Sequence, residues 1–210
     1  MKRRDFALGL ALTPLTTTWA LAATDLQEGR DFNVLPTAQP VAVPGKIEVI
    51  EFFGYWCPHC NAFEPKLEAW VKGLGADVNF RRIPVGWQDP MVPYQKLYYA
   101  LEAIGAPADV HGKVFKAYHE QKLRLDTEAS VGPFAAAIGV DKTKLADALK
   151  AFTVASKIRM ASQASTTYQI EGVPTLVVQG KYLTSPELAK GEVRALQVAD
   201  ALIQQAKAKR

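Results

Sequence analysis

The 210-residue chain has only two cysteines, at positions 57 and 60. A bridge between such close neighbours shuts a very small loop and restrains the unfolded chain little, so no disulfide framework holds this fold together. The same scarcity argues against a structural zinc site, which needs four ligands. Cys57 and Cys60 have no second pair to complete one, and the three histidines are scattered at 59, 111 and 119. Charge of one sign is also in short supply. With 25 basic and 21 acidic residues the net charge is +4, too weak a balance to predict a nucleic-acid partner. No apolar run reaches the roughly 20 residues that cross a bilayer. Internal repeats and low-complexity tracts are absent as well.

What stands at the N-terminus has the layout of an export signal. Lys2, Arg3 and Arg4 precede an apolar run from Phe6 to Leu15, which Thr13 and Pro14 interrupt, and small residues follow, with Ala20 and Ala22 in an A-x-A pattern. This predicts a cleaved signal peptide over 1–22. Arg3-Arg4-Asp5-Phe6 is compatible with twin-arginine export and with an ordinary charged leader. Beyond residue 22 the balance of 22 basic against 20 acidic residues leaves +2. About half the sequence is apolar (49%), so residues 23–210 can bury a full core as one domain, or as one domain carrying an insertion. An exported chain meets oxidising conditions, where cysteines normally become structural bridges. Two cysteines placed too close to stabilise anything point to chemistry instead.

Along the chain, Ile47, Val49, Glu51 and Phe53 alternate with Ile50 and Phe52, which reads as a central strand covered on both faces. From Cys60 the apolar positions continue as Phe63, Leu67, Trp70 and Val71 at helical spacing, closed by Gly73 and Gly75, with Pro65 expected to kink the axis. Val78–Ile83 reads as a strand, Thr175–Val178 and Lys181–Leu183 as a hairpin about Gln179-Gly180, and Leu196, Ala199 and Ile203 as a closing helix. Between them the pattern is helical only. Its sets are Leu97, Leu101 and Ile104; Val110, Val114 and Tyr118; Leu145, Leu149 and Phe152; Ile158, Ala161, Ala164 and Tyr168. Gly105 with Pro107, Gly132 with Pro133, and Gly139 punctuate them. The order implies an α/β core, residues 23–84 and 169–210, interrupted by a helical insertion over 85–168.

The Cys-x-x-Cys pair therefore sits where a strand passes into a helix. One helical turn apart, Cys57 and Cys60 share a face and are close enough to bridge. Cys57 occupies the helix start, where unsatisfied N–H groups and the dipole stabilise a thiolate and lower its pKa. Cys60 lies one turn deeper. The asymmetry makes Cys57 the thiol that exchanges with a substrate and Cys60 the one that resolves the mixed disulfide. His111 and His119, eight apart on one helix and flanking Phe115, are expected to be packed or solvated residues and not metal ligands.

Glu51-Phe52-Phe53 leading to Cys57-Pro58-His59-Cys60, then Phe63-Glu64, and later Gly172-Val173-Pro174 before a short hairpin, resembles the DsbA family of bacterial periplasmic disulfide oxidases over essentially the whole chain past residue 22. The resemblance implies a thioredoxin-like fold with an all-helical insertion and a redox-active disulfide as the only prosthetic device. It also implies a periplasmic enzyme that oxidises newly exported proteins with free thiols, is re-oxidised by a membrane quinone reductase of the DsbB type, and works as a monomer. Pro58 suits a first helical turn, and His59 can stabilise the neighbouring thiolate. Glu51, if buried, would have a raised pKa and could relay protons to or from Cys60; otherwise it is a strand-end carboxylate reaching water. Glu64 matches a second family carboxylate. The family places a lysine near these acids, whereas this chain offers Arg81 and Arg82. The resemblance further implies a cis Pro174, with Val173 offering backbone groups to a peptide that adds like a strand. A reductase or isomerase on the same fold, and a redox-independent peptide holdase, are the competing expectations.

Overall fold

A computed structural model describes residues 26–209; the expected signal peptide over 1–22 lies outside them. Strands β1 (Asn33–Val34), β2 (Ile47–Phe53) and β3 (Val78–Pro84) are joined by helix α1 (Pro58–Lys72). Five helices follow: α2 (Val92–Ala103), α3 (Val110–His119), α4 (Glu128–Ala137), α5 (Lys142–Lys150) and α6 (Phe152–Thr167). Strands β4 (Thr175–Val178) and β5 (Tyr182–Thr184) and helix α7 (Glu192–Ala208) complete the chain. The sheet order is β1-β5-β4-β2-β3. Among the described strands only β2 and β3 pair in parallel, joined by α1 as a parallel crossover requires.

Strand β2 is buried at all seven positions, and its period of two sends side chains to opposite faces. Ile47 and Val49 meet Phe63 and Leu67 of α1 and Leu202 of α7. Ile50 and Phe52 enter a second cluster built largely from α2–α6, where Phe53, Tyr55, Leu97, Val114 and Phe115 also pack. Burying a side chain of this size contributes about 1.5–3 kcal/mol. One central strand thus joins the α/β core to the five-helix block.

Strand β5 begins at Tyr182, one residue later than the pattern predicts, because the register pairs Val178 with Tyr182 and leaves Gln179, Gly180 and Lys181 in the connection, the first two in left-handed conformations, at φ 52° and 62°. The Lys181 N–H donates to the Val178 carbonyl at 3.1 Å across these two residues, and left-handed conformations at both suit the strand twist. Gly180 has a second constraint, since a Cβ there would meet the Gln39 carbonyl oxygen. Two further expectations need correcting. Phe152 does not continue the helix of Leu145 and Leu149: Ala151 is extended (ψ 138°) and α6 starts after it, leaving the Phe152 ring 75% exposed. Gly132-Pro133 does not separate elements, because α4 runs through both. Its start is fixed by a Thr127–Ser130 capping box, and Val131 and Phe134 bury its inner face. Strand β1 is too short to carry a periodic signal and goes unseen in the sequence.

Candidate active site

Strand β2 ends at Phe53, and a turn of Gly54, Tyr55 and Trp56 delivers Cys57 to the N-cap of α1, with Pro58 in the first turn. Gly54 is required in this turn, since a Cβ would meet the Trp56 indole at 2.6 Å. The Cys60 backbone N–H donates to Cys57 Sγ at 3.3 Å, so the sulfur takes up one of the orphan donors of the helix start. Its pKa is lowered to about 6, by a hydrogen bond from the Cys60 thiol, by the N–H groups of Cys60 and His59, and by the charge of His59, all against the opposing effect of burial. Cys60 moves the other way. It has no exposed surface, and burial, then its contacts with Cys57, then the charge of Glu51 push its thiol far up. Pro58 and His59 between them are exposed.

Opposite the helix start lies the Val173–Pro174 peptide bond, which is cis. The Cys57 thiol donates to the Val173 carbonyl at 3.3 Å, and Thr175 Oγ1 donates to the Gly172 carbonyl at 2.8 Å, bracing this loop. A groove of about 650 Å³ runs past it, lined by His59, Ile170, Val173, Pro174, Leu183 and Leu188 among others.

Beneath the cysteines Glu51 is buried, at 1% exposure, which removes the alternative of a carboxylate reaching water. The parallel register sets Glu51 beside Arg82 of β3. Arg82 Nε donates to Glu51 Oε2 at 2.8 Å and Arg82 Nη2 to Glu64 Oε1 at 3.0 Å; its neighbour Arg81 points to the other face and pairs with Glu48 at 3.0 Å. Arg82 is thus the cation between the two acids. Burial raises both carboxyls to about 7 despite it. Two carboxylates against one guanidinium leave an excess negative charge in a buried site, which one shared proton neutralises.

The five-helix block reaches this site through α3. His111 Nδ1 hydrogen-bonds the Tyr55 hydroxyl at 2.8 Å, and His119 Nε2 donates to the Tyr55 carbonyl at 2.8 Å. Burial, reinforced by Arg82, depresses His111 to about 3, so its ring is neutral.

A family model described as a DSBA-like thioredoxin domain matches residues 90–202. The thiol:disulfide interchange protein DsbA of Burkholderia cepacia is 44% identical over 183 residues, 87% of this chain and 86% of that one. Its counterpart in Azotobacter vinelandii is 42% identical over 200 residues, 95% and 91%. The crystal structure of Pseudomonas aeruginosa DsbA superposes with a TM-score of 0.85 at 38% identity, covering 88% of this chain and 96% of that one. The chain belongs to the DsbA family. Its fold is thioredoxin-like, and it is a thiol-disulfide oxidoreductase that exchanges disulfides with substrate proteins.

Membership of the DsbA family accounts for the Cys-Pro-His-Cys turn and the loop facing it, but sequence reasoning missed two contributors. Arg82 could not be chosen over Arg81 without the strand register. Tyr55 carries no local sign of its role, because its bonds to His111 and His119 span 56 and 64 residues of sequence. Among the described residues, Glu51, Glu64 and His111 have ligand-type atoms within 4.8 Å of one another. Arg82 grips the other oxygen of each carboxylate, so a metal cation would sit against a buried guanidinium. We do not assign these residues as ligands. Among the described residues, no helix is long and apolar enough to cross a membrane.

Proposed function

We propose that this oxidoreductase runs as a dithiol oxidase in the bacterial periplasm, donating the Cys57–Cys60 disulfide to exported proteins. The observation that carries the reading is the opposed tuning of the two sulfurs, with Cys57 held toward the thiolate and Cys60 held as a thiol. Only the reduced protein gains from a stabilised thiolate, so the free energy favours accepting electrons.

In this mechanism a client thiolate attacks Cys57 Sγ. The Cys57–Cys60 bond breaks, and the Cys60 sulfur leaves with the electron pair. Because that sulfur resists carrying charge, it takes a proton, for which buried Glu51 is the source. A second client thiolate then attacks the client sulfur of the mixed disulfide and expels Cys57 as a thiolate, a good leaving group at its lowered pKa. The client loses two electrons and two protons and gains a disulfide. Pro58 starts the helix whose N–H groups hold the thiolate, and His59 adds positive charge to it. Val173 and Pro174 seat the client backbone in the groove as an added strand. The protein works as a monomer, uses no cofactor beyond its own disulfide, and is re-oxidised by a membrane quinone reductase of the DsbB type. The test is the equilibrium of the Cys57/Cys60 couple with glutathione. An oxidase gives a potential well above −200 mV, whereas a value near −270 mV, that of thioredoxin, would make this a reductase. Client binding and turnover that survive Cys57→Ser would instead indicate a holdase.

A further inference from the structure

Three polar atoms around the buried acids make no hydrogen bond to the described residues: Glu51 Oε1, Glu64 Oε2 and His111 Nε2. His111 Nε2 lies 3.5 Å from Glu64 Oε2, and Glu51, Glu64 and His111 each have a ligand-type atom within 4.8 Å of those of the other two, so some point lies no more than about 2.8 Å from one such atom of each residue, which is hydrogen-bonding distance for an oxygen atom. The direct approach of His111 Nε2 to Glu64 Oε2, at 3.5 Å, is too long for a good bond. A water has two donors and two acceptor sites, and buried waters typically make about three bonds.

The direction of those bonds follows from Tyr55. Its hydroxyl is buried, with its ionisation pushed well up, so it keeps its proton and has to donate it. Among the described residues its recorded partner is His111 Nδ1. That nitrogen therefore accepts, and a neutral imidazole accepting at Nδ1 carries its hydrogen at Nε2. The three unpartnered atoms are then one N–H donor and two carboxyl oxygens. A water accepting from His111 and donating one hydrogen to each carboxylate satisfies all of them. The rings of Phe53, Tyr55, Tyr98 and Phe115 surround His111 and keep other solvent out.

We propose that His111 is a positioning residue of the proton site: fixed by Tyr55, it holds one water between Glu51 and Glu64 and sets how firmly the two carboxyls keep their shared proton. This rests on the reading of Glu51 as the proton source for Cys60. The charged and titratable groups facing the site are Cys60, Glu64 and Glu68 of α1, Arg82 of β3, Tyr98 of α2, and Tyr55. None of the others offers an N–H to the unpartnered oxygens.

The test is infrared titration of the carboxylic-acid band in the full-length protein from pH 5 to 9, assigned by its loss in Glu51→Gln and Glu64→Gln. His111→Phe fits the aromatic surroundings but removes the donor that favours ionised carboxylates. The band's midpoint should move up by about one pH unit, and His111→Gln, whose amide nitrogen takes the place of Nε2, should bring it back. Tyr55→Phe, which frees the tautomer, should move it in the same direction by less. A midpoint that stays in place in both His111→Phe and Tyr55→Phe overturns the proposal. The attack of a model thiol on the oxidised protein, corrected for thiolate concentration, tests the underlying reading separately. Its alkaline fall should vanish in Glu51→Gln, and its persistence there would reject Glu51 as proton source whatever the band does in His111→Phe.

Discussion

The depressed pKa of Cys57 makes the stabilities of the reduced and oxidised proteins diverge with pH. In the folded reduced protein Cys57 ionises near pH 6, against 9.0 for an ordinary thiol. Because the folded value is the lower one, the stabilisation is fully present above the unfolded value and disappears as pH falls through the folded one. Each unit of separation is worth about 1.4 kcal/mol. The contribution is then close to zero at pH 5, about 1.4 kcal/mol at pH 7 and about 3 kcal/mol at pH 8. The oxidised protein has no thiol in either its folded or its unfolded state, so it lacks the whole effect. The carboxyl pair works in the opposite direction, with its folded values raised to about 7: stability falls as pH rises from the unfolded carboxyl range toward 7. Both redox forms share that trend, and subtracting one from the other removes it. Urea unfolding of the two forms at pH 5, 6, 7 and 8 measures the difference directly. Reduced minus oxidised stability should climb by about 3 kcal/mol across this range, and by thermodynamic linkage about 30 mV of the couple's oxidising power at pH 7 comes from the same source. Parallel curves for the two forms would show that neither the Cys60 thiol nor the helix start lowers this thiol, and the oxidase reading would fall with it.

Cys60→Ser should accumulate mixed disulfides between Cys57 and client chains, since the thiol that releases them is gone; trapping and mass spectrometry would reverse the roles if adducts appeared on Cys60 in Cys57→Ser and none here. His59→Ala should make Cys57 more basic and the protein a weaker oxidant. Because the His59 charge ranks behind the hydrogen bonds from Cys60, thiolate absorbance titration should show a change below about one pH unit, or less than about 30 mV, and no change at all would leave the Cys60 thiol and the N–H groups of the helix start as the whole cause. Arg82→Met removes the cation between two buried acids and should cost about 3–5 kcal/mol near neutral pH. The loss should be smaller at pH 5, where both carboxyls are protonated, and a loss independent of pH would mean that Arg82 acts through packing alone.

What the sequence discloses about this site is local in origin. Cys57, Pro58, His59 and Cys60 follow directly on a strand and open a helix, so the turn and its electrostatics can be read from a dozen consecutive residues. Glu51 draws attention for the same reason, as an acid inside an apolar strand. Its environment is another matter. Whether Arg81 or Arg82 meets Glu51 depends on which side of β3 faces α1, and a shift of one residue in register reverses the answer. His111 and His119 carry no local sign of their partners, because what gives them a role is a tyrosine in a turn of the α/β core. The misreadings at Phe152 and at Gly132-Pro133 have a similar cause. An i+3 spacing continues through a break that only the extended backbone at Ala151 reveals, and a proline survives in a helix whose buried face outweighs one missing hydrogen bond.

Those distant contacts give the five-helix block a part in the redox chemistry. Tyr55 stands two residues before Cys57, and α3 holds it at both ends, the hydroxyl through His111 and the carbonyl through His119. The turn that aims Cys57 at Val173 is therefore clamped from outside the α/β core. Desolvation is the main cause of the raised carboxyls at Glu51 and Glu64, and Tyr98 and Phe115, which help to enclose His111 beside them, belong to α2 and α3. A thioredoxin-like core without these helices would keep its Cys-x-x-Cys pair but open the acids to water, lowering their pKa values and removing the shared proton at neutral pH. Cys60 would then leave as an anion with no buried donor beside it. The docking of α2 and α3 onto the core is thus part of what keeps a proton beside Cys60 at neutral pH.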